Sequence, residues 1–201
     1  MLLLCTVPLR SYSQGWPEKP HVDTLRAYIG HTETESNSSP HVDRFLASVG
    51  LDPGYPWCAA FVSYGLDKAD ADYPPVRSAL SRDFVTSRSV KARRVITRNL
   101  TIPPGWIITW RRGNTIYGHT EVATQWKGKS GISIGGNTTP PGGEGADWNG
   151  GGVYEKERNI NPGSYFRITD FTPVDYENDY RKLSDVRGIR VRYRILDWGR
   201  R

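Results

Sequence analysis

Apolar positions recur at helical spacing through the first third of the chain and at strand spacing through much of the rest. In residues 22–29, "VDTLRAYI", Val22, Leu25 and Ile29 share one helical face and Gly30 ends the segment. The polar stretch "HTETESNSSP" reads as a loop. "HVDRFLASVG" then sets Val42, Phe45, Leu46 and Val49 on one face and closes on Gly50. After the turn "LDPGYP", Cys58 opens a third helix running through Ala59, Ala60, Phe61, Val62 and Leu66, apolar on most sides and therefore expected to be buried. Residues 75–98 predict one or two helices whose Arg88, Lys91, Arg93 and Arg94 form a solvated basic face.

From "IPPGWIITWRR" onward the period changes. Short β-branched and aromatic runs at 106–110, 118–126, 131–134, 153–157 and 165–171 predict a strand series, and the short connections favour antiparallel pairing. "NTTPPGGEGADWNGGG" reads as a long loop, either a lid or a plain connector. In "GIRVRYRIL" Ile189, Val191, Tyr193 and Ile195 alternate with arginines, as in an edge strand protected by charge or a strand carrying an anion site. The predicted class is α+β, with amino-terminal helices packed on an antiparallel sheet. The expected division is a truncated export signal or disordered segment at 1–15, a core domain at 16–171 and an extension with a basic strand at 172–201.

Composition narrows this picture. The 201 residues, 37% of them hydrophobic, suffice for one sizeable core. A formal net charge of +6 favours an anionic partner, which can be nucleic acid, a membrane surface or an acidic wall polymer. No stretch approaches the roughly 18 consecutive apolar residues of a membrane span. "MLLLCTVPLRSYSQG" has a short apolar run but lacks a basic start, and reads as the end of an export signal. Cleavage there would remove Cys5 and leave Cys58 as the only thiol.

A lone cysteine at this position is either a small core residue or a nucleophile. Unpaired N–H groups and the helix dipole at a helix amino terminus favour a thiolate, and the same N–H groups can hold an oxyanion. A nucleophile also needs an imidazole and a group to orient it. His119, following a glycine in "YGHTEVA", is the candidate base; His21, His31 and His41 lie in polar or helix-start contexts and are expected to be exposed. Asn137 in "GGNTT" is either a turn residue or the orienting amide. Tyr55 is a candidate oxyanion donor or a packing aromatic. Trp57, Trp110, Trp126 and Trp148 are groove walls or packing residues.

"HVDRFLASVGLDPGYPWCAAFVSYGL", "GHTEVA", "GGNTT" and "GGVYEKER" together resemble the CHAP family of cysteine, histidine-dependent amidohydrolases/peptidases over roughly residues 24–170. The resemblance implies a papain-like fold acting on peptidoglycan peptides outside the cytoplasm, in the periplasm or beyond. It implies neither metal nor organic cofactor. It further implies Cys58 as nucleophile, His119 as general base and acid and Asn137 as the orienting residue; Tyr55 and Trp57, just before Cys58, are the candidates for the oxyanion and substrate side.

The chain departs from the family pattern twice. Gly135 stands where many members carry an acid two places before the asparagine. Glu121 replaces the apolar residue usual after "GHT", and is expected to point to solvent or into the groove.

The competing readings are a catalytically inactive wall-binding module of the same fold, a nucleic-acid binder and a metallohydrolase. No nucleic-acid motif is present, two Cys and four His show no ligand spacing, and the Gly-rich loop lacks the Gly-Lys-Ser/Thr ending of a phosphate-binding loop.

Overall fold

The computed structural model describes residues 19–143, 150–161 and 168–176. The predicted basic strand at 189–195, Trp148 and the first residues of the predicted 165–171 strand lie outside them.

Helix α1 spans Pro20–Arg26, with a proline in its first turn, where the missing N–H costs nothing. It buries Val22 and Leu25 but stops before Ile29, which falls in the following turn and is exposed. Helix α2, Pro40–Ala47, starts at Ser39, whose hydroxyl accepts from the Val42 N–H at 3.3 Å. Its face of Val42, Phe45 and Leu46 is buried as the spacing predicts. Helix α3, Cys58–Lys68, is buried from Cys58 through Leu66.

Residues 75–98 contain the expected helices only as short pieces. They hold a 3-10 turn at Ser81–Phe84, a two-residue strand β1 at Val90–Lys91 and a short helix α4 at Ala92–Thr97. Arg88 is exposed, as a solvated face requires, while pairing with Asp175 at 2.6 Å and lying over the Tyr73 ring at 4.1 Å. Lys91 and Arg93 are exposed.

The strand series is present. Strands β2 (Thr101–Ile102), β3 (Ile107–Arg111), β4 (Gly118–Lys127), β5 (Ser130–Thr138), β6 (Gly152–Asn159) and β7 (Ile168–Thr172) join β1 in one seven-stranded sheet. Its order is β1-β7-β3-β4-β5-β6, with β2 paired to β4, and every pairing is antiparallel. The α+β class is thus observed.

Both faces of the central strands are covered, which is why they read as apolar runs instead of strict alternation. Ile107, Val122 and Ile134 pack with the helices around Phe45, Phe61 and Leu66. Ile108, Ala123, Trp126 and Phe171 form a second cluster with Val95 of α4. Helix α3 lies against β4 and β5. Gly136 makes that approach possible, since a Cβ there would stand 2.5 Å from the Trp57 ring and 2.8 Å from that of Phe61.

Past the expected domain boundary at 171, Val174 and Tyr176 are buried in the core. Tyr176 explains a second difference, because His21 is fully buried instead of exposed. Its Nδ1 meets the Tyr176 hydroxyl at 2.6 Å and its Nε2 meets the Gly105 carbonyl at 2.8 Å. Since that carbonyl can only accept, Nε2 carries the proton and the ring is neutral. His31 and His41 are half-buried, with ring centroids 4.1 Å apart.

Burial lowers the His21 pKa to about 4. Below about pH 6.5 the unfolded chain takes up a proton that the folded ring refuses, so this contribution is full above pH 6.5 and declines as pH falls toward 4. Urea unfolding should show a loss of up to about 3 kcal/mol over that window. A His21→Gln variant should lack that component of the slope, and an unchanged slope would contradict the assignment.

Candidate active site

Cys58 is the first residue of α3 and is buried with 6% exposure. Trp57 and Phe61, one before it and one turn after, are held by the Gly136 approach, so packing fixes the helix tip against β5. The tip is fixed by polar contacts too. The Trp57 indole N–H donates to Glu33 Oε1 at 2.6 Å, and Glu33 Oε2 accepts from the Asn37 N–H at 3.0 Å. Trp57 is therefore a buried anchor with 1% exposure, and the expectation that it faces substrate is corrected. Tyr55, by contrast, is 53% exposed in the turn just before the helix.

His119 is the second residue of β4 and is buried at 3% exposure, against Trp110 on the neighbouring strand at a ring-centroid distance of 5.9 Å. Its Nε2 meets Glu121 Oε1 at 2.9 Å. Nδ1 is buried and makes no formed hydrogen bond, which leaves it as the nitrogen open to the thiol. Catalytic hydrogen bonds are often unformed before substrate binds. Burial alone would lower the His119 pKa, but the adjacent Cys58, and after it Glu121, outweigh burial and raise it to about 9. The ring is accordingly an imidazolium at neutral pH.

Glu121 points neither to solvent nor into an open groove; it is fully buried. Its carboxylate accepts from Ser133 Oγ at 2.5 Å and from Arg158 Nε at 3.0 Å, while Arg158 Nη2 donates to Oε1. Arg158 also donates to Thr138 Oγ1 at 3.0 Å and lies over the Trp110 ring at 5.9 Å. Burial works to raise the Glu121 pKa, but Arg158 and His119 overcome it and hold the carboxyl well below the usual carboxylate range.

Asn137 is not on the imidazole. It lies within β5, at φ +52°, where the pairing with β6 is irregular. In the amide orientation that satisfies both neighbours, Nδ2 donates to the Gly150 carbonyl at 2.7 Å and Oδ1 accepts from the Trp57 N–H at 3.1 Å. The carboxylate on the imidazole is that of Glu121, and Asn137 instead ties the start of α3 to β5. Trp126 is a buried core residue, so of the expected groove walls only Trp110 stands beside the site among the described residues.

Sequence reasoning brought out Cys58 and His119 but missed Glu121, Arg158, Ser133 and Glu33 as site residues. One signal was available. Residues i and i+2 of a strand share a face, so Glu121 had to lie beside His119, and a lone acid in an apolar strand is rarely left without partners.

Among the described residues no helix is long and apolar enough to cross a membrane, and no group of three or more His, Cys, Asp or Glu is placed to hold a metal ion. No protein-family model, curated protein or solved structure matches the chain.

Proposed function

We propose that this protein is an exported cysteine amidohydrolase/peptidase of the CHAP type, with a papain-like variant of the α+β fold, that hydrolyses amide bonds in peptidoglycan peptides. The observation that carries this reading is the buried pairing of Cys58, at the tip of α3, with a charged His119 on β4. Thiol, imidazole and carboxylate then form a chain in which each group tunes the next.

In the proposed cycle His119 holds the proton given up by Cys58 Sγ. The thiolate attacks the amide carbonyl carbon, and the carbonyl oxygen takes the electron pair. Backbone N–H groups at the start of α3 stabilise that oxyanion, with the exposed Tyr55 hydroxyl as a further donor. As the C–N bond breaks, His119 protonates the leaving amine and a thioester remains. Water, deprotonated by His119, attacks the thioester; as the C–S bond breaks the sulfur takes the electron pair, the carboxylic acid leaves and His119 keeps the proton, restoring the starting pair. No step calls for a metal or an organic cofactor. The chain's net charge of +6 suits an anionic cell wall.

A non-catalytic wall-binding module of the same fold is the second reading. Its motive in the sequence is the missing acid at position 135, and a carboxylate on His119 from position 121 weakens that motive. Digestion of purified peptidoglycans of several chemotypes, with mass spectrometry of the released fragments, separates the two. Release by the wild type and none by Cys58→Ala is the expected result, and the fragment masses identify the bond cut. Binding without release from any wall would support the module and overturn the hydrolase.

A further inference from the structure

We infer that the carboxylate beside His119 occupies a shared socket between β4 and β5 that a side chain from either strand can fill, and that Glu121 is the residue filling it as the positioning group of His119. The inference deepens the proposed function and rests on it for the role of His119, but its first readout does not depend on hydrolysis.

The socket is defined by the groups around it. His119 Nε2, Ser133 Oγ and the Arg158 guanidinium converge on one carboxylate, from β4, β5 and β6. Val122 pairs with Ile134, which sets position 121 directly across from position 135 on the same face. A Cβ on Gly135 would stand 2.6 Å from both Cδ and Cγ of Glu121. The carboxylate therefore fills the space into which a side chain at 135 would project. Glycine at 135 follows from acid at 121, and the two positions exclude one another. Gly135 is not among the glycines with positive φ, so its backbone accepts an L side chain. The oxygens of an aspartate lie two bonds beyond Cβ, within reach of the same three donors.

A carboxylate here does more than fill space. The charged groups facing His119 are Cys58 from α3, Glu121 on its own strand and, through Glu121, Arg158 from β6. Lys156 of β6 donates to Thr139 at 2.6 Å, and Arg111 of β3 pairs with Asp170 of β7 at 2.6 Å. After Cys58, Glu121 adds to the interactions that favour the cationic ring, and by holding Nε2 it leaves Nδ1 for the thiol.

The test follows the His119 ring by NMR titration in Glu121→Gln, Glu121→Ala, Gly135→Asp and the pair Glu121→Ala/Gly135→Asp. Glu121→Gln preserves shape and removes charge, and should lower the imidazole pKa by about 1–2 units. Glu121→Ala should do the same, and the paired variant should recover most of the fall. Gly135→Asp alone should unfold at lower temperature, since two carboxylates then compete for one space. The high-pH limb of alkylation of Cys58 should move down and back in step with the ring. A purely structural role would lower stability in Glu121→Gln while leaving the imidazole pKa in place, and that result overturns the inference. So does a folded paired variant that titrates like Glu121→Ala, or a Gly135→Asp protein with wild-type stability and ring titration.

Discussion

Exchanging His119 for alanine is expected to reduce amide hydrolysis by about 100- to 10,000-fold, the range over which a positioned acid and base acts. Two other effects should accompany it. In the proposed cycle His119 takes the Cys58 proton, so without it alkylation of Cys58 at neutral pH should fall to the rate of an ordinary buried thiol. Combining His119→Ala with Cys58→Ala should cost no more than the worse of the two alone, because groups that act on one proton in one step are not additive. In thermal unfolding, the part of the stability loss that comes from the raised pKa of the ring should disappear above about pH 9, leaving the pH-independent cost of the lost side chain. The sign is fixed by that raised value: the contribution is full below the unfolded pKa of about 6.5 and is lost as pH rises through about 9. A His119→Ala enzyme that kept wild-type turnover would remove His119 from the mechanism.

Asn137→Ala carries the second large expectation, and it concerns stability first. The amide joins the Trp57 N–H to the Gly150 carbonyl, and its loss leaves both buried groups unpaired. Each such group costs about 1–3 kcal/mol, so denaturant unfolding should register a loss of about 2–6 kcal/mol. Part of that loss arises from the backbone, since φ +52° suits asparagine better than alanine. Asn137→Gly separates the parts by removing the amide without the strain. Activity should fall in both variants, because a displacement of the α3 tip by about 1 Å costs roughly 100-fold in rate. The imidazole pKa should stay near its wild-type value, as Glu121 is untouched. A large downward shift of that pKa in Asn137→Gly would place Asn137 on the imidazole after all.

The two residues were not equally legible. Cys58 and His119 stand out because the chemistry requires those side chains at a helix start and a strand start, and both positions can be read from local pattern. Asn137 reads as a turn residue or an orienting amide, whereas it lies inside β5 and its partners are Trp57, far back in the chain, and Gly150, further along it. No period or propensity encodes such a contact. Glu121 was visible as an oddity and its meaning was not, because the relation that explains it is the cross-strand register with Gly135 and the reach of Arg158 from β6. The fold divides the same way. Val42, Phe45 and Leu46 declare α2 through their spacing, and the apolar runs declare β3 to β5. Residues 75–98 show that they hold helices but not how short these are, because their elements are held by distant partners such as Asp175 and Phe171 and owe little to their own periodicity. His21 looked exposed for a similar reason, since its partner Tyr176 comes near the other end of the described chain.

The order of the strands also bears on how the molecule comes into being. β7 lies between β1 and β3, so its arrival closes a gap in the interior of the sheet. A nascent chain that has emerged only as far as β6 holds two strands with bare backbone edges facing an empty slot, and neither can be satisfied by anything yet synthesised. The core under α1 waits on Tyr176 in the same way. Such a chain cannot complete itself piece by piece as it leaves the ribosome. It must stay open, and prone to capture by other exposed edges, until β7 slots home.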